Sequence, residues 1–301
     1  MRGNLIAFCL LLVSAMVLPP AHAGQSAHGK VRKAQVSARA HAAPAVDSAR
    51  LNLRSSAALV FDEATGEALY EKKPELVTPI ASITKLMTAM VVLDAGLPLD
   101  EKIAITSEDV DSVKGTRSRL YVGATLTRQD LLLLALMSSE NRAASALGRA
   151  YPGGRPAFIA RMNAKAREIG MLNARFLDST GLNSENVATA EDLVRLVDAA
   201  DGYPLIREFS TTASQEVDVG GRRPMQFRNS NALVRSPSWD IEVSKTGYIS
   251  EAGRCLVMKA TIASRRVIIV LLDSVGKNTR LGDANRIRKW MEGSGFRLPM
   301  S

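Results

Sequence analysis

Apolar side chains recur along this chain with two different periods, and the changes of period divide it. Ala57 to Phe61 and Ala68 to Glu71 read as short strands joined by Glu63-Ala64-Thr65-Gly66, a hairpin turn. From Ser82 to Leu93 the spacing of Leu86, Met87, Met90 and Val91 is helical. Thr127, with Asp130 three residues on, caps a helix whose run Leu131 to Met137 is apolar on all sides and therefore buried. Phe158 to Ile169 is a further helix, stopped by Gly170, and Thr189 with Asp192 opens an amphipathic helix through Val197. In the last third the pattern becomes that of strands: Glu216 to Val219, Ile241 to Lys245, Cys255 to Ile262 and Val267 to Leu272, the last two joined at Ser264-Arg265. A helix from Thr279 to Met291, with Ile287 and Trp290 facing inward, closes the chain. Strands at both ends of a helical middle predict one globular domain. Its antiparallel sheet is closed by the N-terminal hairpin and carries helices on both faces.

The first fifty residues follow another rule. Arg2 precedes an apolar run from Leu5 to Leu18, Pro19-Pro20 break it, and Ala21-His22-Ala23 has the small-x-small form of a cleavage site. This predicts a signal peptide, residues 1–23, removed after Ala23, and an exported, periplasmic protein. The run is too short to span a bilayer, which needs about 20 residues. Residues 24–50 hold Lys30, Arg32, Lys33, Arg39 and Arg50 against Asp47, a net +4 of the +9 carried by the chain, with almost no large apolar side chains. Such a segment cannot offset its ordering entropy and reads as a disordered basic tether. It either holds the protein loosely to anionic wall polymer or lipid head groups, or is a solvated leader with no partner. The globular domain then spans residues 51–301. Cys9 leaves with the signal, so Cys255 has no internal disulfide partner and reads as a small buried residue. An exported protein is not expected to bind nucleic acid.

All three histidines, His22, His28 and His41, lie before residue 51. That removes Ser-His-Asp and Cys-His catalysis from the domain and, with them, the common His-based zinc sites; no metal or cofactor is expected. A hydrolase without histidine needs another base, and a desolvated lysine can serve. Ser82-Ile83-Thr84-Lys85 supplies hydroxyl and amine three residues apart on one helix face. The flanks Thr78-Pro79-Ile80-Ala81 and Leu86-Met87-Thr88-Ala89 are largely uncharged, so Lys85 should be partly buried. Ser139-Glu140-Asn141 follows the buried helix, delivering a hydroxyl and an amide, and Lys245-Thr246-Gly247 ends a strand. There the lysine adds positive potential, the threonine can bind a carboxylate, and glycine allows close approach of a peptide. Each tripeptide is common. Their order, with spacings of 57 and 106 residues, is not.

S-x-x-K, S-x-N and K-T-G in this order are shared by penicillin-binding proteins and class A β-lactamases. From about Ser55 to its end the chain resembles the low-molecular-mass penicillin-binding proteins of the D-alanyl-D-alanine carboxypeptidase and endopeptidase family. The likeness includes Ala81 to Thr88, the stretch from Met162-Asn163 to Gly181-Leu182, and Lys245-Thr246-Gly247-Tyr248. Leu136 to Ala143, with Phe227-Arg228-Asn229 and Trp239, is most similar to the D,D-endopeptidases of the penicillin-binding protein 7 type. The resemblance implies an α/β sandwich of the DD-peptidase/β-lactamase type: a five-stranded antiparallel sheet flanked by helices, with an all-helical subdomain inserted between the first and last strands. It implies that Ser82 forms an acyl-enzyme, Lys85 takes its proton, and Ser139, held by Lys245, relays a proton to the leaving amine. Asn141 would position the substrate backbone and Thr246 bind its carboxylate. The N–H groups of Ser82 and Tyr248 would form the oxyanion hole. The substrate implied is the cross-linked peptide of peptidoglycan, with β-lactams as inhibitors.

Two departures bear on the task. Glu140 stands where carboxypeptidases of the family more often have glycine. The 54 residues after Gly247 hold two strands and a helix, with no second β-domain or amphipathic anchor expected. Both favour an endopeptidase without a stable membrane anchor over a carboxypeptidase trimming pentapeptide stems. A class A-like β-lactamase would need a glutamate to activate the deacylating water. Glu168 with Asn173 is the nearest candidate, and its position at a helix end makes it a solvated residue. A non-catalytic wall-binding module would keep the cleft without the full set of polar groups. Tyr151 and Trp239 would line the cleft, or belong to core or rim.

Overall fold

The computed structural model describes residues 51–220 and 223–293; the expected signal peptide and basic tether lie outside them. Strand β1 (Ser55–Asp62) turns back into β2 (Glu67–Lys72). Asp62 builds that turn, its Oδ1 accepting the N–H groups of Ala64 at 2.8 Å and Thr65 at 3.1 Å. A short strand β3 (Thr78–Pro79) leads through a 3-10 turn at Ala81–Ile83 into α1 (Thr84–Asp94). Strands β4 (Lys102–Ala104) and β5 (Thr125–Thr127) pair with each other and precede helices α2 (Arg128–Met137), α3 (Asn141–Arg149) and α4 (Gly154–Glu168). Strand β6 (Val187–Ala188) returns to pair with β3, followed by α5 (Ala190–Asp201) and α6 (Pro204–Thr211). A separate hairpin of β7 (Ser214–Val217) and β8 (Met225–Arg228) comes next. The chain finishes with β9 (Asp240–Ile249), β10 (Gly253–Ile262), β11 (Arg265–Ser274) and α7 (Thr279–Glu292).

The main sheet is antiparallel in the order β2-β1-β11-β10-β9. Because β1 pairs with the last strand, the whole segment between β2 and β9 is an insertion, as the resemblance implied, but it is not all-helical: the short strand pairs β3–β6, β4–β5 and β7–β8 lie within it. Strand β11 explains how the sheet holds two layers of helix together. Its alternate residues enter different cores: Ile268, Val270 and Leu272 join the cluster under α1 and α5, while Val267, Ile269 and Leu271 join the one under α7. A strand buried on both faces reads as a continuous apolar run, which is how Val267 to Leu272 stands in the sequence. The buried Asp283 docks α7 by accepting Ser55 N at 2.8 Å and Ser55 Oγ at 2.6 Å.

Most expected elements are present. Thr127 and Thr189 cap their helices, each accepting the N–H three residues on, and Leu131 to Met137 is buried on every side. Two boundaries differ from expectation, and two helices were not expected. The strand expected at Glu216–Val219 forms at Ser214–Val217 and does not join the main sheet. Three of its four side chains are exposed, which suits a surface ribbon. The β10–β11 turn is Ala263-Ser264, one residue earlier than expected. Both have positive φ (49° and 63°), the two-residue hairpin geometry that matches strand twist. Helices α3 and α6 escaped the periodicity because nine and eight residues leave only about two turns of pattern.

Candidate active site

Ser82 stands where two backbones are forced together. Ile80 N–H bonds to Asn186 O at 3.0 Å, fixing the end of β3. Ala81 then takes φ of 49°, a left-handed conformation that costs an alanine energy and turns the chain sharply into the 3-10 segment. The Thr84 hydroxyl donates to Ala81 O at 2.8 Å and accepts from the Asn186 amide at 3.1 Å, bracing the turn. Gly181 packs against it so closely that a Cβ there would fall 1.9 Å from Ala81 O. On the other side Gly247 of β9 presses on the same peptide, where a Cβ would meet Ile80 O at 2.9 Å and Ser82 N at 3.1 Å. The sequence reading gave Gly247 to the approach of a peptide substrate. The backbone that approaches it is the protein's own, and this brings the Ser82 segment against Tyr248.

Lys85 is completely buried and lies within hydrogen-bond distance of three neutral oxygens: Ser82 Oγ at 2.8 Å, Asn141 Oδ1 at 2.8 Å and Thr180 O at 2.6 Å. Burial lowers its pKa to about 7, against the opposing pull of Asp178 and Glu140. A neutral Lys85 can donate its two N–H bonds to Asn141 and Thr180 and offer its lone pair to the Ser82 hydroxyl. The site therefore contains a serine, a base and the two bonds that aim the base. Thr180 O reaches Lys85 because Asp178 folds the loop beyond it, its carboxylate accepting the N–H groups of Thr180, Gly181 and Asn183.

Ser139 also has positive φ, 63°, at the break between α2 and α3. Its hydroxyl accepts from Lys245 Nζ at 2.9 Å. Lys245 is buried, and burial, then the charges of Lys85 and Arg280, push its pKa well below the ordinary lysine value. Thr246 is nearly buried and its hydroxyl donates to Ser230 Oγ at 2.8 Å. Tyr248 is exposed, with the Arg254 guanidinium 4.3 Å from its ring. Ser82, Ser139, Asn141, Thr246, Gly247 and Tyr248 line one pocket, with Lys85 and Lys245 directly behind their hydroxyls. All eight residues selected from sequence are thus brought together.

The seventh lining residue was not anticipated. Arg280, at the start of α7, borders the pocket with its Nε and Nη1 buried and without a hydrogen-bond partner. A buried guanidinium with unused donors is costly unless something anionic meets it. Thr116 is a second addition, accepting from the Asn141 amide at 3.0 Å. Glu140 does not project into the pocket. It is buried, accepts from the Ser118 hydroxyl at 2.6 Å and pairs with Arg119, whose guanidinium lies 3.8 Å from the Phe227 ring. Its bulk ties the 118–119 loop to β8 rather than narrowing the cleft.

The remaining candidates fall outside the pocket. Glu168 is paired with Arg161 at the end of α4. Cys255 is fully buried in β10, opposite Gly247, with its thiol pKa raised by burial to about 11. Tyr151 packs edge-on against Phe158, and Trp239 belongs to the core under α7. Among the described residues no group of His, Cys, Asp and Glu could hold a metal, and no helix is long and apolar enough to cross a membrane.

Comparison with known proteins places the chain in a family. The sequence profile described as D-alanyl-D-alanine carboxypeptidase matches residues 41–276. A D-alanyl-D-alanine endopeptidase of Pseudomonas aeruginosa is 51% identical over 243 residues, covering 80% of this chain and 78% of its own. The Escherichia coli protein of the same description is 46% identical over 254 residues, covering 84% and 82%. Among solved structures, a Streptomyces DD-transpeptidase superposes with a TM-score of 0.73 at 31% identity, covering 81% of this chain and 98% of its own. A penicillin-binding protein of Listeria monocytogenes solved with ampicillin bound gives 0.70 at 31%, covering 82% and 99%.

Proposed function

The chain belongs to the D-alanyl-D-alanine carboxypeptidase family, and from that membership we propose that it is a periplasmic serine D,D-endopeptidase that opens D-alanyl cross-links in peptidoglycan. The observation that carries the reading is the buried Lys85 amine 2.8 Å from the Ser82 hydroxyl, with a pKa near neutrality. Ser82 Oγ attacks the D-alanyl carbonyl while its proton passes to Lys85 Nζ. The N–H groups of Ser82 and Tyr248 hold the developing oxyanion. The carbon–nitrogen bond breaks as the leaving amine takes a proton through Ser139, whose hydroxyl Lys245 orients. Water then attacks the acyl-enzyme and releases Ser82.

Thr246 and Arg280 bind the carboxylate of the leaving residue, which gives the unpartnered guanidinium its anion. Asn141 does two jobs: it accepts one bond from Lys85 and stands at the pocket wall to meet the substrate backbone. Among the described residues no carboxylate lines the pocket, which suits slow rather than rapid release of a β-lactam acyl group. The predicted signal peptide supports export to the periplasm, and the tether's basic charge would draw the enzyme towards anionic wall or membrane surfaces.

A fluorescent penicillin tests this mechanism. Wild-type protein should be labelled and Ser82→Ala should not, and a chromogenic cephalosporin should be turned over slowly. Labelling that survives Ser82→Ala, or fast multiple turnover of the cephalosporin, contradicts it.

A further inference from the structure

A strap of charge crosses one end of this cleft. Lys114, on the loop before α2, pairs with Glu251, in the turn that leaves β9. Both side chains stay in reach of solvent, 25% and 42% exposed. The loop is held firmly beneath them. The Asp111 carboxylate accepts the N–H groups of Val113, Lys114 and Thr116 and the Thr116 hydroxyl. Thr116 Oγ1 accepts from the Asn141 amide, and Asn141 accepts from Lys85. The loop is therefore fixed to one wall of the cleft, and Glu251 extends the other wall three residues beyond Tyr248.

The strap's place along the substrate follows from the proposed function, on which this inference rests. Thr246 and Arg280 meet the leaving residue and Tyr248 the acyl oxygen, so β9 runs from the leaving side to the acyl side. Three further residues, at most about 10 Å at roughly 3.3 Å each, lead to the stem two or three residues before the D-alanine. Strand β9 is a sheet edge, open to an added extended chain. A stem lying along it would meet the strap.

We propose that Lys114 is a specificity-determining residue that leaves Glu251 to bind a carboxylate of the acyl-side stem, two or three residues before the D-alanyl carbonyl. An exposed lysine–glutamate pair is weak in water, so a substrate carboxylate competes well for the ammonium. Glu251 is then the internal competitor that holds Lys114 in position until the stem arrives.

The test compares Lys114→Met, Lys114→Arg and Glu251→Gln with wild type on a cross-linked muropeptide and on the same compound with its stem carboxylates amidated. Acylation by benzylpenicillin, whose short side chain ends before the strap, is measured in parallel by protein mass. Dimer cleavage and Ser82-dependent acylation of wild type check the underlying function separately. The proposal expects Lys114→Met to raise KM for the carboxylate substrate about fivefold, with kcat little changed. Lys114→Arg should restore it, Glu251→Gln should lower KM, and amidation should blunt every difference. Lys114→Met and Glu251→Gln shifting in the same direction, on penicillin as well as on peptide, would reveal a clip that only shapes the loop and overturn the proposal. An unchanged KM in Lys114→Met overturns it equally.

Discussion

Lys85 has three hydrogen-bond partners and none of them is charged, so desolvation dominates its ionisation. The sign follows directly. Below a pKa of about 7 the ammonium has no lone pair for the Ser82 proton; above it the neutral amine does. The rate of penicillin acylation should therefore rise through pH 7 and level off about one unit higher. A rate that is flat from pH 5.5 to 9, or that falls, contradicts Lys85 as the base. Arg280 makes a second residue-level prediction. Arg280→Gln should raise KM for a substrate whose leaving residue bears a carboxylate by at least about tenfold, the scale of one charged hydrogen bond. Steady-state kinetics against an analogue lacking that carboxylate would check it, since the analogue should lose little. The serine and the lysine were legible because they lie one turn apart. Arg280 and Thr180 were not, because they reach the site through chain closures that no local pattern records. Thr180 bonds to a residue 95 positions away.

At the scale of elements, two glycines and a strained alanine hold the nucleophile. Gly181 has φ of 81° and no room for a side chain against Ala81. Gly181→Ala should displace the Ser82 turn, cut penicillin acylation about a hundredfold and lower stability by roughly 2 kcal/mol or more. Gly247→Ala meets contacts near 3 Å and should be milder in both measurements. Thermal melts with labelling rates would rank them, and the reverse order would contradict the packing described. The caps at Thr127 and Thr189 and the continuous run of β11 could be read directly, since capping and burial are local. Of the β7–β8 ribbon only a strand near β7 is legible, because four-residue, mostly exposed strands leave little alternation to read. The left-handed turns at Ala81 and Ser139 carry no glycine or asparagine to mark them. Their conformations are imposed by what packs on them.

For the whole molecule, chain order was the most informative feature. Three short motifs, each uninformative alone, enter the cleft from a helix start, a helix break and a sheet edge, and the fold hydrogen-bonds the second to each of the other two at under 3 Å. The absence of histidine from the domain narrowed the chemistry before any of this geometry was considered. Glu140, a departure from the glycine more usual in carboxypeptidases of the family, acts away from the cleft. It braces the loop at Ser118 and Arg119 outside the pocket, so the preference for cross-links rests on the relatives. Incubating the protein with purified cross-linked muropeptide dimer and with a D-Ala-D-Ala pentapeptide, and resolving products by mass, tests that claim most directly. The account predicts dimer converted to monomers by wild type and untouched by Ser82→Ala. Loss of terminal D-alanine from the pentapeptide while the dimer stays intact would contradict it.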